Sequence, residues 1–420
     1  MPDFNQRRVV ITGMGVIAPS GLSVSSFWKN VHEGVSAVDY VSRFDVSMVP
    51  SKFATEIKGF DPADYMDAKT ARRLERSLHY SIAAARMAVQ DSGVDFDKQD
   101  PDRSGVVEGT SLSNVESAYK GRESMQSRGG YRAISPSAMI NGYVGSGSAE
   151  IANQLAIKGH AITCSSSSAS GSDVMGYAFN MIQYEDVDIM VAGCAEAPLI
   201  DTVFYGFSQS RAMTRFQGSP KEAMRPMDVN SDGFVMGEGG AFVVLEELAH
   251  ALSRGARIYA ELIGYGRSCE AYHPMAPHPE GLGIKRAMEK CLRRANCDRN
   301  RVNYINIHGT ANSASDLAEA RAIQSFFGDH SRRVAVSSTK PITGHPLAAA
   351  GALETVICAK AIGDGIIPPT LNVRQMHPEV KLDLVRDRSR HYPVEYVLNL
   401  NSGFGGKTSC ILLKKYSDYS

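Results

Sequence analysis

The chain is short of several things, and each shortage closes off a class of protein. Its 420 residues include one tryptophan and seven cysteines, at 164, 194, 269, 291, 297, 358 and 410, with no CxxC spacing and no paired framework. Reduced thiols are therefore the default, and neither a disulfide scaffold nor a metal site is expected. Net charge is absent, since 45 Lys and Arg balance 45 Asp and Glu. No long-range field recruits nucleic acid or an anionic membrane, so any anion site has to be local. No apolar run reaches the roughly 18 residues of a membrane span. The longest, Ile342 to Ile366, is interrupted by His345, Glu354 and Lys360. The opening MPDFNQRRVVITGMGV lacks the apolar core and small-residue cleavage site of a signal peptide, which points to a cytoplasmic protein.

What is present is glycine, 38 residues of it, and short β-branched runs alternating with amphipathic stretches, the pattern of α/β layering. Strands are expected at Arg8–Thr12, Val187–Ala192, Ala241–Leu245, Tyr304–Ile307, Val334–Ser337, Tyr396–Asn399 and Thr408–Leu413. Helices are expected at Ser25–Glu33, Ala68–Ser92, Ser170–Tyr184, Gly281–Ala295, Ala314–Phe327 and Leu347–Ile362. In Ser170–Tyr184 the residues Val174, Met175, Ala178, Met181 and Ile182 fall at helical spacing and mark one buried face. The charged stretch EELAHALSRGAR ends a glycine-rich first part, and a strand-like IYAELIGYG opens a second. The boundary lies near residue 255, giving parts 1–255 and 256–420 whose comparable layout is compatible with a distant duplication.

Four segments concentrate the chemistry. GHAITCSSSSASG, residues 159–171, runs from an apolar stretch into the amphipathic helix. Such a junction of small residues exposes a nucleophile to helix-terminal N–H groups, although a serine-rich loop also serves simply to cap a helix. His308 follows one strand in IHGT, and His345 follows another in STKPITGH. A lone histidine is usually structural, but two at turns beside Gly and Thr are suited to aim N–H donors into one pocket. NSGFGG, residues 401–406, is a glycine-flanked aromatic on a hinge-capable turn, or a plain hairpin turn with a core Phe.

These residues carry a family resemblance. RRVVITGMGVIAPSG at the start, RPMDVNSDGFVMGEGGAFVVLEE at 225–247, INIHGTANSASD at 305–316, SSTKPITGHPLAAAGALE at 337–354 and NSGFGG resemble, in sequence and spacing, the elongating β-ketoacyl-acyl-carrier-protein synthases. The resemblance implies a thiolase fold of two similar αβαβα halves forming a five-layered core, usually a homodimer. The expected site is Cys-His-His, served by an acyl carrier protein that carries the substrate on phosphopantetheine, with no other cofactor.

The chain departs from that pattern at the nucleophile. The family's cysteine stands nine residues after the glycine that opens the segment, which here is Ser168, and Ser168-Ala169-Ser170-Gly171 overlays the downstream Cys-x-Ser-Gly. Reading Cys164 as the nucleophile instead requires a slip of four residues against both anchors; in the preferred register Cys164 lies on a buried strand as a small apolar residue. A thiol of pKa near 8.5 costs about 2 kcal/mol to ionise at pH 7, against about 12 kcal/mol for an alkoxide resembling hydroxide. Acyl loading of Ser168 should be weak or absent. The resemblance gives His308 and His345 the malonyl thioester carbonyl, and Lys340 and Glu354 a charged pair that orders the site or is merely a structural ion pair. It gives Phe404 the place of a gatekeeper whose backbone N–H, with that of Ser168, forms an oxyanion hole. Decarboxylation of malonyl-carrier protein to acetyl-carrier protein is the activity expected. Serine-for-cysteine homologues of this kind resemble those of polyketide β-branching, where the product passes to a hydroxymethylglutaryl-synthase-like enzyme. A serine-dependent condensing enzyme and a non-catalytic chain-length-factor-like subunit are the alternatives.

For the carrier protein, Lys69, Arg72, Arg73 and Arg76 fall on one face of the expected helix, and the first three match family docking positions; a solvated charge run is the bland alternative. Thr310 matches a threonine that contacts pantetheine, but the second is Asn312, followed by Ser313 instead of proline. Leu112 matches the residue at the bottom of the acyl pocket, Phe234 a wall of the site, and Gly403 the turn before the gatekeeper. Asp228, Asp232, Gly233 and Glu238 read as structural.

Overall fold

The computed structural model describes residues 7–113 and 115–417. Eleven strands carry its main sheet: β1 (Val9–Ile17), β2 (Ser104–Gly109), β3 (His160–Cys164), β4 (Ile189–Glu196), β5 (Gly239–Glu247), β6 (Ala260–Cys269), β7 (Tyr304–Asn306), β8 (Ala335–Ser337), β9 (Asp383–Leu384), β10 (Tyr396–Gly403) and β11 (Lys407–Lys414). They hydrogen-bond in the order β9-β8-β7-β10-β11-β6-β1-β5-β4-β2-β3. The middle of this order is a thin seam, where only Val9–Ile11 of β1 pair with Ala260–Leu262 of β6. Outward from the seam the two sides repeat one plan. The pairs β1/β5 and β5/β4 are antiparallel and β4/β2 and β2/β3 parallel, just as β6/β11 and β11/β10 are antiparallel and β10/β7 and β7/β8 parallel.

The helices are α1 (Val24–His32), α2 (Ala68–Arg73), α3 (Arg76–Ser92), α4 (Val115–Arg128), α5 (Ser146–Leu155), α6 (Ser170–Gln183), α7 (Asp201–Gln209), α8 (Leu282–Arg294), α9 (Ser313–Phe327) and α10 (Ala350–Asp364), besides shorter turns. α3 and α5 cover the outside of the first half-sheet, and α8 and α9 cover the second. α6 packs on β4 and β2 and also on β11, and α10 packs on β5 and β10. The result is five layers, as the resemblance implied, in a mixed α/β thiolase-like fold. α10 is buried almost all round, as a helix apolar on every side has to be. At their N-terminal ends α6 and α10 touch backbone to backbone. A Cβ on Gly171 would lie 2.4 Å from the Ala352 nitrogen, and one on Gly351 2.6 Å from the Ser172 nitrogen. That contact brings the turn before α6 against the segment that carries Lys340, His345 and Glu354.

Two expectations need correction, and several elements were not expected at all. The helix expected over Ala68–Ser92 is two helices, α2 and α3, because Leu74 and Glu75 are extended, with ψ of 163° and 167°. Neither residue is a helix breaker; Leu74 is drawn into the core beside Leu78, Ile57 and Met66, and the chain turns to follow it. Cys164 does not lie on a buried strand: β3 is the outermost strand of the sheet and Cys164 is half-buried there. β2 and the helices α4, α5 and α7 were not foreseen.

Candidate active site

The turn between β3 and α6 is tight. Ser167 adopts a left-handed conformation, φ 60°, which is uncommon for a residue with a side chain and characteristic of nucleophile turns. Ser170 locks it, its Oγ accepting the Ser166 N–H at 2.9 Å and donating to the Ser167 carbonyl at 2.6 Å. Gly403, at the end of β10, presses on this turn so closely that a Cβ would sit 2.9 Å from the Ser168 nitrogen. Ser168 is thus held 7% exposed, just before the positive N-terminal end of α6, with its Oγ 3.1 Å from His345 Nε2.

His308 follows β7. Its backbone N–H donates to Glu319 Oε1 at 2.7 Å and the Gly309 N–H to Glu319 Oε2 at 2.8 Å, so one carboxylate on α9 holds the turn from both sides. His345 follows the short helix Lys340–Thr343 and Gly344, φ 70°. Its main chain bonds to Val235 and Gly237. The two imidazoles meet edge to face, centroids 5.3 Å apart, and Phe234 packs edge-on against His345 at 5.0 Å. Behind them lies a buried chain: Lys340 Nζ bonds Glu354 Oε1 at 2.5 Å, and Asn401 Nδ2 donates to Glu354 Oε2 at 2.6 Å.

Burial, reinforced by the Lys340 ammonium, holds the His345 imidazole well below its ordinary pKa, and the same causes with His345 added depress His308. Both rings are neutral near pH 7. Neither Nδ1 has a hydrogen-bond partner among the described residues, so no carboxylate orients either ring as a base. The arrangement offers N–H donors to an oxygen and a poorly supported base to a hydroxyl.

These groups open into a cavity of about 450 Å³. Ser168, His308, His345, Phe234, Gly403 and Phe404 line it, with Thr310, Asn312 and Leu112. Lys340 and Glu354 stand behind the histidines instead. Phe404 is 40% exposed and stacks on Phe207, centroids 6.1 Å apart. Asn312 is also the N-cap of α9, accepting from Ser315, which accounts for its presence without a ligand. Asp232 and Glu238 bond backbone and arginine groups around the site.

Of the expected basic face, Lys69, Arg72 and Arg73 share α2, and Arg76 falls on α3. Lys69 and Arg72 are exposed on α2, but Arg73 is bound bidentately by Glu150 at 2.6 and 2.8 Å. Arg76 lies across the helix break and faces Glu116 and Glu238, each at 3.4 Å. The sequence reading missed Glu319, Asn401 and Glu196. The available signal for Glu319 was an acidic residue on the buried, alanine-rich face of a helix, where charge needs a partner.

Comparison with known proteins identifies the family and the fold. Residues 6–251 match the family "Beta-ketoacyl synthase, N-terminal domain" and residues 259–374 match "Beta-ketoacyl synthase, C-terminal domain". A 3-oxoacyl-[acyl-carrier-protein] synthase 2 of Coxiella burnetii is 40% identical over 415 residues, 99% of this chain and 100% of its own. Among solved structures, the ishigamide ketosynthase/chain length factor superposes with a TM-score of 0.92 at 33% identity, covering 98% of this chain and 100% of that one. A type II PKS acyl-carrier protein in complex with its ketosynthase bound to the hexaketide gives 0.92 at 30%, with the same coverage. No helix among the described residues is long and apolar enough to cross a membrane. The chain belongs to the beta-ketoacyl synthase family.

Proposed function

We propose that this synthase-family chain removes carbon dioxide from a malonyl thioester carried by an acyl carrier protein, leaving the acetyl thioester, and that Ser168 stays unacylated throughout. The observation that carries the reading is the pair of buried, uncharged imidazoles beside a serine, neither backed by a carboxylate. His308 and His345 hold the thioester oxygen by N–H donation. The bond from the α-carbon to the carboxylate breaks, carbon dioxide leaves, and the electron pair becomes an enolate stabilised by those donors. With no electrophile on residue 168, the α-carbon takes a proton from water. The stacked rings of Phe404 and Phe207 present apolar surface at the cavity wall, which favours conversion of the charged carboxylate into neutral carbon dioxide.

Two observations support the family's other activities. The 3.1 Å contact between Ser168 Oγ and His345 Nε2 is the geometry of a serine with a base, and favours a serine-dependent condensing or acyl-transfer enzyme. The likeness to a ketosynthase/chain length factor pair favours a non-catalytic partner subunit, although such a subunit has no physical need of His308, His345 and the buried Lys340. The partners in our reading are the carrier protein, delivering substrate on its phosphopantetheine, and a second copy of the chain. The product would serve a hydroxymethylglutaryl-synthase-like enzyme of polyketide β-branching. Incubation of the purified chain with malonyl-carrier protein separates the readings by mass: acetyl-carrier protein with unmodified enzyme supports ours. An acyl adduct on Ser168 selects acyl transfer, and neither product selects the mute subunit.

A further inference from the structure

The 3.1 Å contact between Ser168 Oγ and His345 Nε2 runs in one of two opposite directions. A bare Nε2 accepts the serine proton and acts as a base; an Nε2 that carries the ring's proton donates, and the serine oxygen accepts. Burial and the Lys340 ammonium keep both rings neutral, so each has one proton to place. His345 Nδ1 and His308 Nδ1 are both buried, with no hydrogen-bond partner among the described residues. Among buried backbone groups an orphaned donor is rarer than an under-satisfied acceptor, and the same preference puts the proton of each ring on Nε2, where it finds an acceptor. With His345 donating, the Ser168 proton has to point elsewhere. Oγ makes no second hydrogen bond among the described residues. Ser168 lines the cavity, and the left-handed Ser167 and the close approach of Gly403 hold it there, so the free O–H is aimed inward. A thioester oxygen that takes the Nε2–H of both rings lies about 3 Å from each nitrogen. Oγ is itself 3.1 Å from one of them, which sets it at the third corner of a triangle and within reach of the same oxygen. The His345 N–H is then shared between two acceptors in a three-centre bond.

We infer that Ser168 is a catalytic hydrogen-bond donor: its hydroxyl, oriented by the His345 Nε2–H, adds a third donor to the thioester oxygen as that oxygen becomes an enolate. The inference rests on the decarboxylation proposed above and gives the serine a task in it. No bond to Oγ forms, and its proton stays in place throughout. The electron pair left behind by carbon dioxide moves onto the oxygen that the O–H touches, where a donor strengthens as charge grows. The positive N-terminal end of α6 favours the same charge. A thiol at this position would be the weaker donor, so serine suits charge on a neighbouring oxygen as sulfur suits attack.

Two measurements test it. The first is steady-state decarboxylation of malonyl-carrier protein by the native chain and by Ser168→Ala. Loss of one oxyanion donor costs about 10²–10³ in kcat where it has been removed from an enzyme. With two imidazole donors remaining, a fall in kcat of at least about tenfold is expected, and KM should stay within about threefold because the contact strengthens in the transition state. A folded Ser168→Ala variant whose kcat is unchanged or raised, or whose loss is confined to KM, overturns the inference and leaves the proposed decarboxylation standing. The second measurement reads the proton itself, by NMR of the native chain with isotope-labelled histidine nitrogens, the His345 signals being assigned by their loss in His345→Gln. At pH 7 Nε2 is expected to be the protonated nitrogen and Nδ1 the bare one. A proton on Nδ1 overturns the inference whatever the kinetics, and this result stands even if the alanine variant does not fold. If the native chain forms no acetyl-carrier protein, the proposed function fails, and the NMR result still decides whether the serine hydroxyl donates into the cavity or to the ring.

Discussion

Replacing Ser168 by cysteine asks directly whether the missing nucleophile is a matter of one atom. The exchange is nearly isosteric at a residue 7% exposed, and the new sulfur would occupy the oxygen's place beside His345 Nε2. Ionising a serine hydroxyl at pH 7 costs about 12 kcal/mol if it resembles hydroxide, against about 2 kcal/mol for an ordinary thiol, a difference of about 10 kcal/mol. The N-terminal end of α6 lowers the thiolate further. His345 is not needed as a strong base in that case, so its depressed basicity ceases to be an obstacle. We expect Ser168→Cys to be alkylated by iodoacetamide and to take an acyl group from an acyl-carrier protein, located at residue 168 by peptide mass mapping. Mapping is required because Cys269 is exposed and Cys164 and Cys297 are half-buried. A cysteine at 168 that stays inert while Cys269 reacts would refute the reasoning, since it would mean that the turn hides the residue instead of presenting it.

The network behind the histidines supplies the other tests. Lys340→Met leaves Glu354 buried with Asn401 as its one remaining partner among the described residues; a loss of about 3–5 kcal/mol is expected in denaturant titration, and adding Glu354→Gln should recover a large part of it. Glu319→Gln places an amide N–H₂ against one of the two backbone donors it now accepts. It should cost about 1–3 kcal/mol and lower kcat by displacing His308, with a smaller change in KM. Glu108, 4% exposed and accepting from Ser81 Oγ at 2.5 Å, is pushed from 4.5 up to about 7 by burial, with Glu196 adding to the rise. Its native pKa exceeds its unfolded one, so the stability it provides is complete below about pH 4.5 and is lost as pH rises through about 7. Glu108→Gln abolishes that loss. Its stability relative to the native chain should improve by about 3 kcal/mol between pH 4.5 and 8, and a pH-independent difference would contradict the assignment.

The parts of the site that were legible beforehand are those made by local turns. Ser168, His308 and His345 each stand at a junction whose small residues and glycines announce it, and the structure brings all three together. Strands with β-branched runs were equally readable, as in VVITGMGVI of β1. β2 was not, because SGVVEG holds only two β-branched residues between glycines, and its strand character comes from parallel neighbours on both sides, β4 and β3.

The fate of charged residues was the least readable feature, and the reason is general. Helical spacing placed Lys69, Arg72, Arg73 and Arg76 on one face, but what an arginine does depends on a carboxylate far away in sequence. Arg73 is claimed by Glu150 and Arg76 by Glu116 and Glu238, and the helix itself breaks where Leu74 meets its core partners. The same dependence governs the chemistry. An imidazole near a serine is a base when a carboxylate holds its far nitrogen and a donor when burial and a cation suppress its proton affinity. His345 has the serine, the burial and Lys340, and lacks the carboxylate. Supplying the missing partner is therefore a stricter test of the donor reading than deleting the ring. If an acidic residue engineered within reach of His345 Nδ1 raises acylation of Ser168 and lowers decarboxylation, the two roles are alternatives set by that single contact.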